Sequence, residues 1–239
     1  MEEVSMNFSK YSPIRLLINS LIETKTTMVF NFNFETMLRH YSKIKDVNGD
    51  VVECGVWRGG FSIFLAHLFK YKNIWVSDSF EGFQPLDQAN YTFEGERHTP
   101  DFTITSLGPI GVSLEDVKQN FKDYGLENED RIIYLKGFVN KTLPSAPIKA
   151  ISLLRVDVDS YSATLEVLDN LYDKVTPGGY IVFDDSSLVE SLEAIKTFFG
   201  NRNIPLYLHH PETDELLNMY SKYTNTDSGL PEGCYFIKK

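Results

Sequence analysis

Cysteine is scarce in this chain of 239 residues: Cys54 and Cys234 are the only two. Each falls inside an expected strand, which excludes a disulfide framework or a Cys-rich zinc site and reads as a pair of reduced, buried thiols. Positive charge is also short. Lys and Arg total 23 against 33 Asp and Glu, a formal net charge of -10, whereas nucleic-acid partners are drawn by clustered cations that displace counterions from phosphates. No nucleic-acid partner is expected. Long apolar runs are absent too, because the longest mostly apolar stretch, Phe61 to Phe69, falls far short of the roughly 20 residues of a membrane span. The opening Met1-Glu2-Glu3 lacks the basic-then-apolar pattern of a secretion signal. These absences predict a cytoplasmic protein with no membrane association. What is present, 42% hydrophobic residues and 15 glycines, is ordinary for one α/β domain with extensions.

Periodicity orders the chain. Ile14, Leu17, Ile18, Leu21 and Ile22 recur at helical spacing, and Phe34, Met37, Leu38 and Tyr41 form a second apolar face behind Asn33 as its expected cap. Together they predict an N-terminal helical arm over residues 1–48. A domain over residues 49–239 follows, with short apolar strands at 50–54, 73–77, 131–135, 150–156 and 180–183 alternating with helices that begin near Gly60, Ser113, Ser160 and Ser187. Two more strands, at 205–208 and 233–237, close the chain. The alternation predicts a mostly parallel seven-stranded sheet with a terminal antiparallel hairpin and helices on both faces. Residues 79–112 show little periodicity and are expected to form a functional lid, since so long a stretch is uncommon as a plain connector.

Ligands of open parallel sheets bind beyond the carboxyl ends of the strands, and Glu53, Asp78, Asp157 and Asp184 all fall at such ends. The turn after the first strand, ECGVWRGG from Glu53 to Gly60, lacks the GxGxxG spacing of dinucleotide binders, and no phosphate-cradling Lys-Ser/Thr pair follows it. A cofactor without phosphate fits better. Glu53 is expected to bond an ammonium group and Asp78 both hydroxyls of a ribose, needs that S-adenosylmethionine meets. Asp157, Asp184 and Asp185 offer hard oxygen ligands that suit Mg²⁺, and no His or Cys accompanies them to favour zinc. The bland alternative is helix capping by these acids.

Four stretches in order, ECGVWRGG, DSFEGF from Asp78, RVDVDSYSAT from Arg155 and PGGYIVFDD from Pro177, resemble the macrocin O-methyltransferase family over about residues 50–200. The resemblance implies a Rossmann-like class I methyltransferase that uses S-adenosylmethionine and a metal to methylate sugar hydroxyls of natural products. It implies cofactor contacts from Glu53, Cys54, Gly55, Val56, Trp57, Gly60, Ser62, Asp78, Ser79, Phe80, Glu81, Gly82, Ser113 and Asp157, and Mg²⁺ held by Asp157, Asp184 and Asp185. For the general base it leaves two candidates, Asp159 and the lid residue His98, of which His98 is preferred because its ordinary pKa lies near neutrality. His209 and His210 are candidates to line the acceptor pocket. Ser186 departs from the family, which commonly has an aromatic there, so a different acceptor pocket is expected. A non-catalytic cofactor-binding module and an NAD-dependent oxidoreductase are the alternatives. The expected partner is a small-molecule hydroxyl acceptor, a sugar; a homo-oligomer stays open.

Overall fold

A computed structural model of the chain describes residues 12–83, 92–93, 96–97, 110–217 and 228–239. Parallel strands β1 (Asp50–Cys54), β2 (Ile74–Asp78), β5 (Ile132–Lys136), β6 (Ile151–Val156) and β7 (Val175–Phe183) form one side of a single sheet in the order β5-β2-β1-β6-β7. Beyond β7 come β10 (Cys234–Ile237), antiparallel to it, then β8 (Leu208–His209) and β9 (Leu216–Leu217). The expected terminal hairpin is the antiparallel β8–β10 contact. The eighth strand, β9, lies between the two strands expected at the chain's end; two residues are too few to show a strand period. A separate two-stranded ribbon, β3 (Thr92–Phe93) with β4 (Glu96–Arg97), lies within the expected lid.

Strand parity divides the core. Side chains of a strand alternate between faces, so Val52, Cys54, Leu154, Val156, Ile181 and Phe183 bury one way, against helices α5 (Val139–Thr142), α6 (Tyr161–Leu171) and α7 (Val189–Asn201). Val51, Leu153, Tyr180 and Val182 bury the other way, against α1 (Pro13–Glu23), α2 (Asn31–Ile44), α3 (Gly60–Leu68) and α4 (Leu114–Asp123). Position 53 and position 155 share the second parity and are register partners. A carboxylate and a guanidinium therefore enter that apolar layer side by side.

Several boundaries differ from expectation for local reasons. Helix α2 starts two residues before Asn33, capped by the extended Phe30, and Asn33 is a buried helical residue instead of a cap. The strand expected at 180–183 starts earlier: Thr176, Pro177, Gly178 and Gly179 also belong to β7, where a register irregularity against β6 absorbs them. Helix α7 begins at Val189 because Asp184–Ser187 first make a 3₁₀ turn. Ser113 and Ser160, near which two helices are expected to begin, each cap one, accepting from the backbone three residues on. Among the described residues no helix is long and apolar enough to cross a membrane.

Candidate active site

A cleft of about 270 Å³ opens at the carboxyl ends of β1, β2, β6 and β7. Its floor is backbone-tight. Gly55, at φ +83°, lies so close to β6 that an added Cβ would stand 1.5 Å from the Asp157 carbonyl oxygen. Only glycine permits this approach between the first turn and the Asp157 strand end. Asp78 ties the two cofactor-side turns together: its Oδ2 accepts from the backbone of Val56 (2.8 Å) and Trp57 (3.3 Å), and its Oδ1 from Phe80 N (2.8 Å). Trp57 and Phe80 both hold positive φ, at 47° and 56°, and these bonds stabilise the two turns.

The expected cofactor residues divide into two sets. Gly55, Trp57, Asp78, Ser79, Gly82 and Asp157 line the cleft. Glu53, Cys54 and Ser62 are fully buried behind it: Ser62 Oγ donates to Glu53, whose other oxygen meets Arg155 Nη1 at 2.5 Å. The Glu53 carboxylate is thus already matched by a guanidinium, which corrects its expected bond to a ligand's ammonium group. Gly60 is buried against Thr26 and Thr27, Val56 and Phe80 point into the core, Glu81 is exposed, and Ser113 caps α4. Burial faces and helix capping, invisible in a linear motif, separate these from the lining set.

Arg155 is the residue that the linear reading passed over. It is 1% exposed, stacks over the Phe61 ring at 4.4 Å, and reaches Asp157 Oδ2 and Asp184 Oδ1 at 2.5 Å each, in addition to Glu53. One cation thus bridges three carboxylates. Parity was the available signal: positions 53, 155, 157 and 184 all belong to the face of α3. Asn33 was missed as well; its Nδ2 approaches Asp184 Oδ1 at 3.4 Å, bringing α2 to the same acid.

Asp157, Asp184 and Asp185 each offer a carboxylate oxygen within 4.8 Å of the others'. Burial raises the pKa of Asp157 well above the ordinary range, against the pull of Arg155 and with help from Asp184, Asp159 and Glu53. Burial likewise raises Asp185, with repulsion from Asp159, Asp157 and Asp184 adding to it. Such mutual repulsion in a partly buried oxygen-only cluster is relieved by a hard divalent cation, so the donor set fits Mg²⁺. Asp159, at φ +59°, donates its backbone N–H to Asp185 Oδ2 at 2.8 Å and lines the cleft. His98, with residues 84–91, 94–95 and 98–109 of the expected lid, lies outside the described residues. His209 stacks on Tyr235 and bonds Asp214 O, and His210 Nδ1 accepts from Glu212 N; neither lines the cleft.

The family model described as macrocin-O-methyltransferase (TylF) matches residues 25–215. The chain belongs to this family. The relatives it resembles include the 8-demethyl-8-(2,3-dimethoxy-alpha-L-rhamnosyl)-tetracenomycin-C 4'-O-methyltransferase of Streptomyces olivaceus, 36% identical over 163 residues, which cover 66% of this chain and 60% of the relative. The mycinamicin III 3''-O-methyltransferase of Micromonospora griseorubida is 35% identical over 169 residues, or 68% of this chain and 65% of the relative. The match thus spans less than two thirds of either relative's own length. Among solved structures, that of the O-methyltransferase NovP aligns with a TM-score of 0.71 at 28% identity, covering 90% of this chain and 82% of that one. The fold is that of class I methyltransferases.

Proposed function

We propose that this member of the macrocin O-methyltransferase family methylates a sugar hydroxyl of a small glycoside, using S-adenosylmethionine and Mg²⁺. The observation that carries the reading is the convergence of Asp157, Asp184 and Asp185 in a cleft whose other wall is the Gly55–Asp78 turn pair. Two relatives named as sugar O-methyltransferases support the acceptor class.

S-adenosylmethionine, when bound, supplies a methyl group on a positively charged sulfur. Gly55, Trp57, Asp78, Ser79 and Gly82 would hold it, and the absence of the phosphate-binding glycine spacing agrees with a ligand that has no phosphate. Asp157, Asp184 and Asp185 would hold Mg²⁺, which would supply a Lewis acid. Asp159 would take the hydroxyl proton, because its turn is anchored to Asp185 and it faces the same space; His98 is the other candidate base. Met28, Val29, Phe30, Phe83, Ile110 and Phe138 wall the cleft with apolar surface, which excludes water and holds the reactants at attacking distance.

Calorimetric titration with S-adenosylhomocysteine, with and without Mg²⁺, tests the first step. Binding is expected, and NAD should give none; the reverse pattern would favour an oxidoreductase. Asp184→Ala should bind S-adenosylhomocysteine as the parent does while losing methyl transfer. Cofactor binding with no Mg²⁺-dependent turnover of any glycoside would leave the non-catalytic module as the better account.

A further inference from the structure

Glu232 is a carboxylate of the cleft that no strand-end motif accounts for. It lies on the short connection before β10, lines the cleft beside Asp159, Asp184 and Asp185, and is half-buried. Its two neighbours are firmly held. Pro231 O accepts from Ser186 Oγ at 2.6 Å, and Gly233 N donates to Phe183 O and Asp184 O at 3.1 and 3.0 Å. Gly233, at φ +76°, admits no side chain, because a Cβ there would stand 2.0 Å from Asn33 Oδ1. Ser186, the departure from the family pattern, is therefore one of the pins that set Glu232 over the cleft, a task that its small hydroxyl can perform in a fully buried space.

The side chain itself is uncompensated. Among the described residues Glu232 makes no hydrogen bond and no ion pair, and the nearest cation with influence on it, Arg155, is already shared by Glu53, Asp157 and Asp184. Burial raises its pKa, Asp184 and Asp159 raise it further, and Arg155 offsets them only in part. Its carboxylate stays accessible from the cleft, so a donor carried by a bound ligand can reach it. It is also outside the group of three acids whose oxygens converge for a cation.

We infer that Glu232 is an acceptor-recognition residue, its carboxylate taking a hydrogen bond from a sugar hydroxyl beside the one that is methylated. The inference rests on the sugar O-methyltransferase reading and deepens it: the acceptor must carry a free hydroxyl next to its methylation site. Such a hydroxyl supplies the donor that Glu232 lacks.

The test uses the full chain with saturating S-adenosylmethionine and Mg²⁺, and mycinamicin III, demethyldecarbamoylnovobiocin and methyl α-L-rhamnoside as acceptor probes. With any probe that the parent methylates, Glu232→Gln and Glu232→Ala should raise the acceptor KM by roughly tenfold or more, as expected for a lost charge-assisted hydrogen bond, with kcat changed much less. Glu232→Ala should lose at least as much as Glu232→Gln. Calorimetric affinities for S-adenosylhomocysteine and for Mg²⁺ should match the parent's. An unchanged KM overturns the inference alone, and so does a weakened Mg²⁺ affinity, which would make Glu232 a metal ligand. Failure of the parent on all three probes despite cofactor and metal binding refutes the sugar reading and this inference with it.

Discussion

Replacing Arg155 with Met removes the guanidinium while keeping an unbranched stem against the Phe61 ring. The parent residue is fully buried and meets Glu53, Asp157 and Asp184 at 2.5 Å each. Removing one partner of a buried ion pair costs about 3–5 kcal/mol, because the remaining charge is stranded in a poor solvent. Glu53, with 1% of its side chain exposed, has the least access to water and should dominate that cost. The pH dependence has a definite sign. Burial already lifts Glu53 and Asp157 above their ordinary values while Arg155 opposes it, so the variant's carboxylates move higher still. A raised folded pKa means that the native state binds more protons than the unfolded chain; stability is then lost as pH rises toward the folded value and is kept below the unfolded one. Each extra proton that the variant's folded state holds is worth at most about 1.4 kcal/mol per pH unit, so the deficit at pH 7.5 should shrink toward pH 5.5. Equilibrium urea unfolding followed by tryptophan fluorescence at both pH values measures this, since Trp75 is buried in the sheet. A loss below about 1 kcal/mol, or one that does not shrink toward acid, would refute the buried counter-charge argument.

Gly55→Ala should destabilise by about 2–5 kcal/mol, the sum of left-handed strain and a backbone overlap, and should abolish S-adenosylhomocysteine binding. Gly125→Ala, also at positive φ but with open space around its Cβ, should cost only about 1–2 kcal/mol, so equal losses in urea unfolding would sink the steric reading. Asp214→Ala removes the acceptor shared by Arg39, His40 and Tyr235 at 2.9–3.1 Å; because the side chain is partly solvated, a loss of about 1–2 kcal/mol is expected, read as a lowered thermal midpoint. Exchange of Asp159 for Asn and of His98 for Asn, one at a time, should lower kcat by about 10²–10⁴ for the residue that takes the proton and little for the other. Asp159 is the expected loser, and a full rate in Asp159→Asn would reassign the base.

The mostly parallel sheet and the strand-end acids were legible because both follow from local patterns: apolar runs of strand length alternating with helical periodicity, and carboxylates at run ends. Helix α2 was misread at its start because Asn33 has the chemistry of a cap, yet its amide is drawn instead to Asp184, 151 residues away. Glu53 was legible as special and misread in role. A carboxylate in an apolar run announces a partner but does not say whether that partner is a ligand or the protein. The answer lay in Arg155, the other charged side chain in an apolar strand, whose parity matches that of Glu53. Glu232 left no such trace, since its place over the cleft comes from Ser186 and Gly233, contacts of tertiary origin.

Asp78 shows how a structural task narrows what a cofactor variant can reveal. Two of the seven non-glycine residues with positive φ among the described residues, Trp57 and Asp159, line the cleft, and a third, Phe80, is buried in the core. Asp78 bonds the backbone of Trp57 and Phe80. A carboxylate offers about four lone-pair sites, and backbone donors at Val56, Trp57 and Phe80, with Ser79 Oγ at 3.4 Å, already use them. A symmetric grip on two ribose hydroxyls would therefore require the two longest bonds, those from Trp57 at 3.3 Å and Ser79 at 3.4 Å, to yield. Asp78→Asn should therefore loosen both turns as well as the ligand. A weakened affinity in that variant is informative about a ribose contact only when its loss for S-adenosylhomocysteine exceeds its loss for methionine alone, which has no ribose; equal losses would assign Asp78 to the turns.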